Sequence, residues 1–498
     1  MLNRIVLCAS LMLLSLTAAN AQTFTISGRV SEPPSVTGVG IAGVTVTLTL
    51  NGSTQTITQT DASGGYSFSN VPAGSNYQVV PTKVSWVFNP VSQSGTDIGF
   101  NQTLYFTGTS SGASSTIQFT AAAVSASESV GDVNITVTRS GDTAGAATVR
   151  YATSDTAAAN PCTAINSIAS SRCDYLTTLG TLTFAAGETS KVISIPVIDD
   201  AYAEGNESFN LTLSNPTGAT LGTTAQITIT LNDNETVNGA SPVDQPAFFV
   251  RQHYIDFLNR EPDASGLNFW TQEITSCGSD NPCIEVKRIN VSAAFFLSTE
   301  FQETGYYAYR IYKVALGNIS GAPVPVTFLN FLRDQQQIGK GIQVGVGNWQ
   351  AQLEANKQAY VLAFVQRSDF MTAYPNSMSA TDFVAKLNTN AGGALSASEQ
   401  TDLINTLGAS PADIGKRAQV LRAVADNQTF RTAEKNRSFV LMQYFGYMRR
   451  SPNDAPDTDF SGYNFWLTKL NSFNGNFVAA EMVKAFITSA EYRQRFGP

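Results

Sequence analysis

From Thr23 to about Thr109, polar and apolar residues alternate in short runs, "TISGRV", "GVTVTLTL", "STQTITQTD", "GYSFSNV" and "NYQVVPT", broken by Gly, Pro and Asn. A period of two sends successive side chains to opposite faces, so the pattern predicts short antiparallel strands with one face buried. The alternation stops in the Ser/Gly-rich joint "GTSSGASS". It resumes from Thr116 to about Glu235 as "VNITVTRS", "AATVRYAT", "GTLTFAAG", "KVISIPVI", "FNLTLS" and "AQITITL". That spacing predicts a sandwich of about seven strands. After the polar stretch "TVNGASPVDQPA" the period changes. From Phe248 onward apolar residues recur at helical spacing, as in Phe249-Val250, Tyr254 and Phe257-Leu258.

The helical half repeats internally. "FVRQHYIDFLNREPDASGLNFW" (Phe249 to Trp270) lines up with "FVLMQYFGYMRRSPNDAPDTDFSGYNFW" (Phe439 to Trp466), and "AFFLSTEF" with "AFITSAEY". Weaker echoes are "AFVQRSDF", "FVAKL" and "AVADNQTF". The expected fold class is therefore multidomain: two all-β sandwiches followed by a mainly α-helical repeat region. The expected divisions are a leader at 1–21, a sandwich at 22–110, a joint at 111–115, a second sandwich at 116–235, a linker at 236–247 and helices over 248–498.

The leader "MLNRIVLCASLMLLSLTAANAQ" has a basic Arg4, an apolar run and a small-residue Ala19-Asn20-Ala21 pattern, which predicts a cleaved secretory signal peptide. No later stretch is apolar enough to span a bilayer, so the expected location is secreted or cell surface. Cleavage leaves Cys162, Cys173, Cys277 and Cys283, close pairs in polar, turn-rich segments. In an oxidising compartment these predict the disulfides Cys162–Cys173 and Cys277–Cys283. Zinc is disfavoured because neither pair is CxxC and the one His is not placed to complete a set. A net charge of -8 with only 14 % charged residues argues against a nucleic-acid partner.

Three resemblances rest on particular residues. The first sandwich resembles the carboxypeptidase-regulatory-like, transthyretin-like domain, through Gly28-Val30, Val44-Val46-Leu48 and "TDASGGYSFSNVPAGSNYQVVP". The second resembles a Calx-beta domain, the calcium-binding module of sodium–calcium exchangers and many secreted bacterial proteins. The residues that carry this are "SESVGDVNITVTRSG", "VRYATSD", "CDYLTTLGTLTFAAGETSKVISIPVIDD", "EGNESFNLTLSNPTGATLG" and "ITLNDNE". The helical unit, with its "D..G..FW" turn, resembles the domain of unknown function 4214, which brings no established activity.

Candidate chemistry centres on "VIDDAYAEGNESFNLTLSNPTG", which gathers Asp199, Asp200, Glu204 and Glu207 without a Lys or Arg among them. Ionised carboxylates repel and raise one another's pKa unless a cation reverses the sign, and calcium takes six to eight oxygens in flexible geometry. The Calx-beta resemblance carries calcium ligands onto Glu128, Asp155, Asp199, Asp200, Glu204 and Asp233, with Glu207 and Glu235 matching less closely. The chain departs from the family in Asp233-Asn234-Glu235 and in the long loop after Asp155, which bears on the number of ions. The sequence also allows the acids merely to solvate one end of the sandwich. Asp174 and Tyr175 are assigned to structure.

In the helical half, Trp270 and Trp466 are expected in the core, and Asp263, Gly266, Asp459 and Gly462 at turns and helix starts. The Gly108-Thr109-Ser110-Ser111-Gly112 match to GxSxG falls in the joint, without the strand-to-helix turn that such a nucleophile needs. No HExxH, P-loop or dinucleotide fingerprint is present. The reading is an exported, calcium-binding, non-enzymatic surface protein, adhesive or scaffolding, whose helices contact an extracellular protein or polysaccharide. The rival reading is a hydrolase or lyase acting on surface polysaccharide, which needs a cleft of converging acids in the helical half.

Overall fold

The computed structural model describes residues 22–34, 38–83, 86–110, 115–157 and 162–498. The expected signal peptide, 1–21, and most of the joint 111–115 lie outside the described residues. The chain forms two compact units, Met1–Ser115 and Thr116–Pro498.

In the first unit the alternating runs become β1 (Thr23–Ser31), β2 (Thr45–Leu50), β3 (Ser53–Gln59), β4 (Gly65–Pro72), β5 (Tyr77–Thr82), β6 (Trp86–Asn89), β7 (Gln93–Gly95) and β8 (Gln102–Ser110). They make two sheets, ordered β4-β1-β8-β6 and β3-β2-β5-β7. Ile26, Val30, Val46, Leu48, Phe68, Val79 and Phe106 fill the space between them, as the period of two requires.

The second unit opens with β9 (Thr116–Phe119), β10 (Ala123–Ser127), β11 (Asp132–Ser140), β12 (Ala147–Asp155), β13 (Leu179–Phe184), β14 (Ser190–Pro196), β15 (Glu207–Thr217), β16 (Thr220–Leu221) and β17 (Gln226–Asn232). These form sheets ordered β10-β17-β15-β12-β13 and β14-β11-β9-β16. The short β10 and β16 each pair in parallel with a single neighbour, which takes the count past the seven strands that the alternation suggests. Register brings the strand ends together. Ser127 pairs with Asn232 and Glu207 with Leu231, so the residues just beyond β10 and β17 and just before β15 meet at one end of the sandwich.

The helical region shows the repeat at atomic level. Helix Pro246–His253 runs into a π-helical turn, Tyr254–Leu258, and helix Gln428–Gln443 runs into another, Tyr444–Met448. Each turn is closed by a left-handed residue, Asn259 (φ 54°) or Arg449 (φ 53°). Arg260 then clamps Glu300 with both nitrogens at 2.7 and 2.8 Å, and Arg450 clamps Glu491 at 2.6 and 2.9 Å. The glycines of the "D..G..FW" turn have a steric reason. A Cβ on Gly266 would sit 2.2 Å from the Tyr254 hydroxyl, and one on Gly462 would sit 2.6 Å from that of Tyr444. Asp263 caps helix Ala264–Thr275 by accepting from the Gly266 N–H, whereas Asp459 accepts from Ser461 one step outside its helix. Trp270 and Trp466 are half-buried against Phe295 and Phe486.

Sandwich and helices share one body. Ile198 and Val243 are buried in the helical core, the latter within the stretch that composition alone reads as a linker. Arg251 donates to the Val197 carbonyl, Arg495 to that of Arg172, and Gln336 to that of Thr177. Both expected disulfides are present, Cys162–Cys173 and Cys277–Cys283, with Cα separations of 5.7 and 5.6 Å.

Candidate metal centre

Four chain segments converge at the end of the second sandwich where β10, β15 and β17 meet. Glu128 follows β10 in a tight turn and accepts the Asp200 N–H at 3.1 Å. Asp199, Asp200 and Glu204 lie in the loop that leads into Glu207, the first residue of β15. Asp233, just past β17, pins that loop: its Oδ2 accepts the Glu204 and Gly205 N–H groups at 2.8 and 2.7 Å, and its Oδ1 that of Glu235. Asp174 enters from the disulfide loop, its backbone carbonyl holding the Ile198 N–H.

Two groups result in which carboxylate oxygens lie within 4.8 Å of one another: Glu128, Asp233 and Glu235, and Asp174, Glu204 and Glu207. Asp200 is nearly fully buried beside both, since its charge acts on Glu207 and that of Glu128 acts on it. Asp199 flanks the first group and acts on Glu235. Asp155 lies beside the second group, where its charge acts on Asp174, but its oxygens are not among those that meet there. Its Oδ1 accepts from the Ser171 N–H at 2.9 Å and from the Tyr175 hydroxyl at 2.5 Å, with the Tyr175 ring stacked on Phe209. Asp174, which sequence reasoning gives a structural role, is thus part of the cluster. The signal for it was its place within "CDYLTTLGTLTFAAG", a stretch that carries the Calx-beta resemblance.

The electrostatics are those of a site short of positive charge. Burial first, and neighbouring carboxylates second, push Asp200 up to about 10. Burial likewise raises Glu128 and Glu204 to about 8 and Glu235 to about 7. Asp174 and Glu207 form a coupled pair in which burial favours keeping a proton on Glu207. Burial opposes ionisation of Asp233 too, but the N–H donors of Glu235, Gly205 and Glu204 outweigh it and hold Asp233 below its usual value.

The arrangement fits a divalent cation. Asp199 Oδ1, Asp200 Oδ2, Glu207 Oε1 and Glu235 Oε2 are buried without a hydrogen-bond partner. Unpaired buried acceptors are costly, and a hard cation is the partner that several carboxylate oxygens share.

Two hollows confined to the helical region, at residues 432–475 and 461–472, are lined by Asn, Ser, Thr, the cations Lys435, Arg437 and Lys469 and the apolar Ala433, Leu467 and Phe465, with no carboxylate among their described lining residues.

Three family models match successive parts of the chain. Residues 22–102 match the family model for the BOS complex subunit NOMO1-like second beta sandwich domain, and residues 235–305 match the domain of unknown function DUF4214. Solved structures similar to part of the chain include the apo form of the Calx CBD1 domain, at 27% identity over 24% of this chain and 99% of that one, with a TM-score of 0.22. The calcium binding domain CBD12 of CALX1.1 matches at 28% identity over 24% of this chain and 45% of that one, with a TM-score of 0.21. A DUF3823 family protein from Parabacteroides merdae matches at 14% identity over 43% of this chain and 100% of that one, with a TM-score of 0.16. Between the two flanking matches, residues 112–235 match the Calx-beta domain model, and these residues hold the whole carboxylate cluster.

Proposed function

We propose that the chain is an exported, non-enzymatic surface protein whose second sandwich binds calcium, and whose helical region contacts an extracellular protein or polysaccharide. The observation that carries the calcium reading is the set of buried carboxylate oxygens without partners, on Asp199, Asp200, Glu207 and Glu235, within a carboxylate cluster that four segments of a Calx-beta-like sandwich supply. Glu128, Asp233 and Glu235 would hold one ion, and Asp174, Glu204 and Glu207 another, with Asp200 between them. Calcium supplies positive charge. The protein supplies oxygens already held in place by the Asp233 pins and the Asp200–Glu128 hydrogen bond. Joining the segments, an ion would stiffen the end of the sandwich that carries Ile198 into the helical core. Export is supported by the two disulfides and by the leader's sequence pattern.

The test is calcium titration by isothermal calorimetry, with Kd expected at roughly 0.1 to 1 mM as for other extracellular modules. Asp200→Asn combined with Glu204→Gln should remove most of the heat. A wild-type protein that shows neither heat nor a change in melting temperature with calcium would sink the proposal.

A further inference from the structure

A cleft of about 920 Å³ separates the disulfide loop of the second sandwich from the turn that closes the second helical repeat. Three arginines line it. Arg172 and Arg450 are neutralised by two carboxylates, both donating to Glu491 at 2.6 Å and Arg450 also to Asp457 at 2.8 Å. Arg449 is not. It occupies the left-handed position held in the first repeat by Asn259, a residue that tolerates that conformation and carries no charge. Its side chain is almost fully buried, and its Nη1 donates only to the Asp256 backbone carbonyl. Its nearest carboxylate contact is Nε to Asp256 Oδ1 at 3.9 Å, and Asp256 already receives two N–H groups from Arg495, at 2.8 and 3.0 Å. Arg449 Nη2 has no partner.

A guanidinium taken out of water without its own anion is costly, and one that lines a solvent cleft can recover that cost from a ligand. An oxyanion alone would fill little of the space, which lies within the range of small-molecule sites. The rest of the wall mixes the apolar Phe328, Leu329, Ala455 and Pro456 with a few groups that suit hydroxyls. Thr163 and Thr327 are exposed residues, and Asp454 uses Oδ2 to hold the Ser451 N–H, leaving Oδ1 to accept.

We propose that this cleft binds an acidic saccharide, its carboxylate paired with Arg449 and its hydroxyls met by Thr163, Thr327 and Asp454. The chain's net charge of -8 opposes the approach of anions, so selection rests on the fit at Arg449 and not on long-range steering.

The probes are a galacturonate trimer, the neutral galactose trimer and sodium sulfate, titrated into the full chain by calorimetry and saturation-transfer NMR. EDTA is present throughout, so calcium on the carboxylate cluster cannot bridge to the uronate, and the outcome is independent of the calcium proposal. The acidic trimer should bind at least about tenfold tighter than the neutral one and than sulfate, the factor expected for one charge-assisted hydrogen-bonded pair. Arg449→Asn, which installs the residue of the first repeat, should fold and lose about tenfold in affinity or more. Thr163→Trp, which narrows the cleft from the sandwich side without touching Arg449, should weaken binding as well, and it decides the matter if Arg449→Asn fails to fold. Absence of binding by the acidic trimer, equal affinity for the neutral trimer, or unchanged affinity in Arg449→Asn overturns the proposal.

Discussion

Raising the pH from about 6.5 to about 8 in EDTA should destabilise this protein, and calcium should abolish the effect. In the folded chain Glu128 and Glu204 are raised to about 8 and Asp200 to about 10, against 4.5 and 3.8 for the same groups free in water. Between those limits the native state keeps protons that the unfolded chain releases. A raised acid contributes stability that is present in full below its unfolded value and is lost as the pH climbs through its folded one. His253 works in the opposite sense. Burial lowers it to about 4, so only the unfolded chain takes up its proton below about 6.5, and above that it is silent. Carboxylates held low, such as Glu354 at about 2, act only at still lower pH. The window is therefore governed by the raised acids. Each retained proton is worth about 1.4 kcal/mol per pH unit, so one gives about 2 kcal/mol over the window and two give about 4. If Thr116–Pro498 melts as the single unit it forms, that is a fall of about 2 to 5 °C. Differential scanning calorimetry at several pH values, in EDTA and in saturating calcium, measures it. A melting temperature that is flat or rising in EDTA, or one that falls equally in calcium, would refute the reasoning.

Two further outcomes concern the helical region. His253→Gln should fold with a loss of about 1 kcal/mol in urea denaturation, because the equivalent Gln443 donates to the Phe439 carbonyl at 3.1 Å much as His253 Nδ1 meets that of Phe249, so that the Ser292 hydrogen bond and the ring contacts with Phe249, Phe257, Phe295 and Tyr447 are what is lost. Asp334→Ala should cost about 3 kcal/mol or more by the same assay, since the wholly buried Asp334 receives two bonds from Arg367, one from Arg333 and one from the Tyr360 hydroxyl, and its removal strands their donors. A loss below about 1 kcal/mol would contradict that account.

Local patterns make the architecture legible in the sequence. Alternation in "VNITVTRS" and "KVISIPVI" reports a strand with one buried face, and the shift of period after Phe248 reports helices, because both depend on residues only a few positions apart. Repetition did the same for the paired turns. Tyr254 and Tyr444 each demand a glycine after the same kind of turn, so Gly266 and Gly462 recur in the sequence. The acidic run from Asp199 to Glu207 was equally visible. Local pattern alone does not say which acids share a space; the Calx-beta resemblance groups Glu128, Glu204, Glu207, Asp233 and Glu235, and strand register across the sheet brings the ends that carry Glu128, Glu207 and Asp233 together. Asp155 and Asp174 flank one loop in sequence, yet Asp155 accepts from the hydroxyl of Tyr175, whose ring stacks on Phe209, while Asp174 enters the cluster. The unmatched charge of Arg449 exists only because Arg495, 46 residues further along the chain, has already taken Asp256. Competition of that kind is decided by packing in three dimensions, where sequence distance has no bearing on which partner arrives first.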